Sequence, residues 1–84
     1  MPSYLIMCRS LTYAQRSARA LERAGITATV MKAPPGTTSA GCAYCVKVSK
    51  RRLDEAVSYL DNAGLPHGKI YYYSADGAVT EVVR

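Results

Sequence analysis

Two segments of this chain repeat one pattern, and the repeat restricts the folds open to it. Leu21-Glu22-Arg23-Ala24-Gly25-Ile26 and Leu60-Asp61-Asn62-Ala63-Gly64-Leu65 each read as the last turn of a helix. Each then has a glycine suited to a left-handed cap and an apolar residue heading toward a strand. The first helix carries Ala14, Ala18 and Leu21 on one face, and the second carries Leu53, Ala56, Val57 and Leu60. Ser10 or Thr12 can cap the first, Thr12 having capping-box spacing to Gln15, and Ser49 can cap the second.

Strand signals fill the intervals. Residues 3–8 form a continuous apolar run, and residues 26–30 alternate with period two. A Pro/Gly/Thr/Ser loop precedes a strand over 43–48, with Tyr44, Val46 and Val48 on one face and Ala43, Cys45 and Lys47 on the other. Residues 70–73 make a fourth strand. Ala75-Asp76-Gly77 reads as a hairpin turn into a fifth, over 78–83.

The order β-α-β-β-α-β predicts an α+β, ferredoxin-like sandwich with an antiparallel sheet and both helices on one face, extended by a C-terminal hairpin strand. The other face is expected to be open, with Leu5, Met7, Thr27, Thr29, Ala43, Cys45 and Lys47 forming a mixed surface suited, like the edge strand, to pairing with a second copy.

A length of 84 residues allows one domain, 1–84, with a core over about 3–73 and an extension over 74–84. Phe and Trp are missing, so seven Tyr supply all the aromatic area. A net charge of +5 suits an acidic protein, an anionic small molecule or nucleic acid. Three Cys without a basic-then-apolar leader fit a reducing compartment, and no run approaches the roughly 18 apolar residues of a membrane span. A cytoplasmic location is expected.

Side chains capable of covalent chemistry cluster once, in Ser39-Ala40-Gly41-Cys42-Ala43-Tyr44-Cys45. A thiol acts as nucleophile only when ionised. Gly41 permits close backbone approach before Cys42, and Lys32, Lys47, Lys50, Arg51 and Arg52 are near in sequence. Lys50-Arg51-Arg52 opens the second helix, where the macrodipole disfavours cations, so the run points either to an anionic ligand or acidic partner or to a solvated basic turn. A thiol pair at i and i+3 in a strand faces opposite sides roughly 10 Å apart, beyond disulfide reach unless Cys42 lies in a turn. Cys8, Cys42, Cys45 and His67 lack the paired spacing of a zinc site, and no phosphate- or dinucleotide-binding motif occurs, so neither metal nor bound cofactor is expected. Cys8, ending a buried strand, reads as a core residue.

Taken together, Ser10, Thr12, Ala14, Leu21, Ala24-Gly25-Ile26, Pro34-Pro35, Ser39-x-Gly41-Cys42, Val46 and Val48, followed by Leu53, Leu60, Gly64 and Ile70, resemble a family of small bacterial Se/S carrier protein-like domains. The likeness covers residues 3–73, and the Gly41-Cys42 step is its most specific element. It implies a carrier more than a stand-alone enzyme, holding sulfur or selenium on Cys42 as a persulfide or perselenide. The implied partners are a cysteine desulfurase-like, PLP-dependent enzyme and sulfur-relay proteins. Ser39, Gly41, Lys47, Lys50, Arg51 and Arg52 would form its surroundings. Cys45 stands where the family more usually has an aliphatic residue, and a second thiol there could act as the resolving one that expels the cargo. Tyr44 is also bulkier than the pattern. Two other readings compete. A nucleic-acid-binding module would use charge and tyrosines, although an RNP signature is absent. A dimeric regulatory domain would use the cysteines only for packing.

Overall fold

A computed structural model describes residues 3–34, 37 and 44–82 of the chain. The elements run β1 (Ser3–Cys8), α1 (Leu11–Arg23), β2 (Ala28–Lys32), β3 (Tyr44–Ser49), a 3-10 turn (Lys50–Arg52), α2 (Leu53–Asn62), β4 (Ile70–Tyr73) and β5 (Val79–Val82). The strands form one sheet in the order β2-β3-β1-β4-β5. Every pairing is antiparallel. This is the α+β arrangement of a ferredoxin-like sandwich, with β5 added beside β4 by a hairpin.

Both helix ends are built alike. Gly25 sits at φ 80° and Gly64 at φ 70°, in the left-handed region open to glycine. The Ile26 N–H donates to the Leu21 carbonyl at 2.9 Å, and the Leu65 N–H donates to that of Leu60 at 3.0 Å. These are Schellman closures, and the apolar residue after each glycine folds back onto its helix. Because Ile26 is spent in this way, β2 begins at Ala28, two residues later than the alternation suggests.

The helix starts differ. The Ser10 Oγ accepts from the Tyr13 N–H at 3.3 Å, so Ser10, not Thr12, is the first cap. At the second, Ser49 makes no side-chain cap bond and a 3-10 turn intervenes before α2. Asp54 and Glu55 in the first turn of α2 complement its dipole.

On the helix side of the sheet, Ile6, Cys8, Val46, Val48 and Ile70 pack against Ala14, Ala18, Leu21, Ala56, Val57 and Leu60. The ring of Tyr4 meets that of Tyr72 edge-on, with centroids 5.4 Å apart.

The opposite face departs from expectation. Leu5 and Cys45 are 0% exposed, Met7 1% and Tyr71 7%. They form a second apolar cluster, against which Met31, Ala33, Tyr73 and Val79 pack. Ala33 directly follows β2, so the chain leaving that strand turns over this face. Thr37 is buried and donates from both its N–H (3.2 Å) and its hydroxyl (2.5 Å) to the Pro34 carbonyl. Of the residues expected to make an open surface, Thr27, Thr29 and Lys47 alone are exposed among those described. The physical reason lies in β1, where Leu5 and Met7 are as apolar as Ile6 and Cys8. A central strand apolar on both faces needs cover on both.

We expect Leu5→Ala to destabilise the fold by about 2–5 kcal/mol, the cost of a cavity in a closed core. Thr29→Ala should stay within about 0.5 kcal/mol. Urea unfolding checks both, and equal effects would mean that the second face is not packed.

Candidate functional site

Three thiols are available, and the fold treats them differently. Cys8 is buried on the helix side, and its Sγ lies 3.6 Å from the Ile6 carbonyl oxygen. Cys45 is buried on the opposite side, across from Met7 on β1 and Met31 on β2. Neither is in a disulfide. They project from opposite faces of the sheet, so they cannot bridge. Burial, with a smaller contribution from repulsion by Cys8, pushes the Cys45 thiol from its ordinary 9.0 up to about 11. As folded, Cys45 is a protonated packing residue, because a low-dielectric site disfavours thiolate.

Cys42, Gly41 and Ser39 lie outside the described residues. Tyr44 opens β3 and pairs with Lys32 at the end of β2 and with Cys8 at the end of β1. Among the described residues, the cations at this end of the sheet include Lys32, Arg9, which follows Cys8, and Lys69, whose carbonyl accepts from the Met7 N–H at 2.9 Å. Arg9 sits 5.6 Å from the centroid of the Tyr13 ring.

Lys47 and Ser49 stand about 10 and 17 Å along the strand from Tyr44, and Lys50 and Arg51 come after Ser49. At physiological salt, exposed charges that far apart are screened, the Debye length being about 8 Å. Arg52 is committed locally: its Nε lies 3.1 Å from Glu55 Oε1 and its NH2 donates to Glu55 Oε2 at 3.1 Å. Arg9 was not legible as a neighbour of this end from sequence. Only the β1–β3 register brings it there.

His67 pairs within its own turn region, its Nε2 3.2 Å from Asp61 Oδ1 and its Nδ1 3.1 Å from the Gly68 carbonyl. Among the described residues, no three His, Cys, Asp or Glu side chains gather as metal ligands. No described helix is long and apolar enough to cross a membrane.

The raised Cys45 value fixes a sign for pH dependence. The folded thiol holds its proton more tightly than the unfolded one, so its contribution to stability is complete below pH 9 and is lost as pH climbs from 9 to about 11. We expect that loss in urea unfolding of the natural chain and a flatter profile for Cys45→Ala over the same window. Parallel profiles would contradict the assignment.

Comparison with known proteins bears on the same region. The family described as "Putative Se/S carrier protein-like" matches residues 3–72, the stretch from β1 into β4. No curated protein and no solved structure matches the chain.

Proposed function

We propose, on the premise that the chain belongs to the Se/S carrier protein-like family, that it carries sulfur or selenium as a persulfide or perselenide on Cys42. The observation that carries this reading is the disposal of the other two thiols. Cys8 and Cys45 are consumed by the two cores. Neither of them is placed to carry cargo as folded, which leaves Cys42, outside the described residues, as the candidate that the family resemblance points to.

The chemistry needs no oxidant. A Cys42 thiolate attacks the outer sulfur of a donor's persulfide. A sulfur–sulfur bond forms to Cys42 as the donor's own sulfur–sulfur bond breaks, and the donor cysteine leaves as thiolate. Release is the same step reversed: an acceptor nucleophile takes the terminal sulfur, and Cys42 departs as thiolate. A resolving attack by Cys45 would instead expel hydrosulfide and leave a disulfide that needs a reductant. Burial of Cys45 supports the first route, in which the acceptor comes from outside. The donor of this scheme is a PLP-dependent, cysteine desulfurase-like enzyme, and the acceptor is a sulfur-relay protein. Lys32 and Arg9 stand at the end of the sheet where β3 begins, and positive charge beside a thiol favours its ionised form.

A base-stacking role is less well served. Helices cover one face of the sheet and Tyr71 is buried in the cluster on the other, so no sheet face offers the exposed aromatic platform of an RNA-recognition module.

Incubation with a cysteine desulfurase and cysteine should add about 32 Da per transferred sulfur to the intact mass, removable by dithiothreitol. The adduct should vanish in Cys42→Ser and survive in Cys45→Ser. An adduct that survives in Cys42→Ser, or none at all with an active donor, would refute the carrier role.

A further inference from the structure

A groove of about 460 Å³ opens at the opposite end of β3, where the cover over the second sheet face stops. Ser3, Thr27, Thr29, Lys47, Val48, Ser49, Lys50 and Arg51 line it, giving three cations, four hydroxyls and no carboxylate. The register explains the convergence. Thr29 pairs with Lys47 and Ser3 with Ser49 across neighbouring strands, so hydroxyl and cation alternate over one corner of the sheet. In the row Thr29–Lys47–Leu5–Tyr71, the surface passes from exposed to buried between β3 and β1. The closed part of the face is thus a wall beside Lys47.

Ser3 is 93% buried (7% exposed) and lines the groove, so it stands where the open corner meets the closed part of the face. Arg52 pairs with Glu55, whereas Lys47, Lys50 and Arg51 line the groove and no carboxylate lines it with them. Like charges lining one groove repel, and an anion between them converts repulsion into charge-assisted hydrogen bonds.

From this geometry we infer that the groove binds a multiply charged oxyanion of the phosphate type, with Lys47, Lys50 and Arg51 on its charge and Ser3, Thr29 and Ser49 on its oxygens. Its volume exceeds that of a single phosphate and falls in the range of small-molecule sites, which fits a diphosphate group, free or borne by a nucleotide. The site lies at the Ser49 end of β3 and uses no thiol, so it stands or falls independently of the carrier reading.

Titration of the full ¹⁵N-labelled chain with inorganic pyrophosphate, and separately with ADP, distinguishes the two sources. We expect saturable amide shifts at Thr27, Thr29, Lys47, Ser49, Lys50 and Arg51. Removing both Lys50 and Arg51 as Lys50→Ala/Arg51→Ala should weaken binding at least about tenfold. Ser3→Ala should weaken it about threefold or more with an unchanged spectrum elsewhere. The surface control Arg16→Ala/Arg19→Ala should leave affinity unchanged. ADP tighter than pyrophosphate would assign a nucleotide, and equal affinities the diphosphate alone. Linear, non-saturating shifts with both ligands, or shifts spread equally over the arginines of α1, would overturn the site.

Discussion

The closure of β1 on both faces is the constraint from which the other features follow. β1 sits in the sheet between β3 and β4, and its side chains alternate between two apolar clusters, Ile6 and Cys8 on the helix side and Leu5 and Met7 on the other. A strand of this kind cannot leave either face wet without exposing about 25 cal/mol for every Å² of apolar area. The helices close one side. On the other, Ala33, directly after β2, packs against the cluster. The Gly41-Cys42 step comes later in the same connection, outside the described residues.

That double closure sorts the cysteines and the charges. Cys8 and Cys45 end on opposite sides of one sheet, each among apolar neighbours, and burial keeps the Cys45 thiol protonated. Charge is divided between the two ends of β3. Arg9 and Lys32 stand at the end where β3 begins, and Lys47, Lys50 and Arg51 gather toward the other. Residues that look like one basic neighbourhood in the sequence are two, and salt screening keeps them from acting on each other.

Much of the fold was legible because its signals are local. The two Leu…Ala-Gly-apolar helix ends, the stripes on α1 and α2, and the Asp76-Gly77 hairpin each specify structure within a few residues. The Asp76 Oδ1 accepts from the Ala78 N–H at 3.1 Å, and Gly77 sits at φ 89°, as such a turn requires. What was missed is non-local. The continuous apolar run of 3–8 marked a buried strand, yet its second face, with Leu5 and Met7, was expected to stay open, because the cluster that closes it joins residues from β1, β3, β4 and the end of β2. The placement of Arg9 beside the start of β3, and the grouping of Ser3 with Thr29 and Lys47, depend on register across strands distant in sequence. The run Lys50-Arg51-Arg52 was expected to act together. Instead the 3-10 turn gives Arg52 to Glu55 and leaves its two neighbours to the groove.

The difference between one working thiol and two packed ones is open to direct test. The folded chain is alkylated with iodoacetamide at pH 7 and the modified cysteines are mapped by peptide mass, with and without denaturant. A carrier thiol set apart from two core thiols should give a single modification, at Cys42, with Cys8 and Cys45 reacting only once the chain is unfolded. Native alkylation of Cys45 as fast as that of Cys42, or a Cys42 that stays unreactive until unfolding, would contradict it.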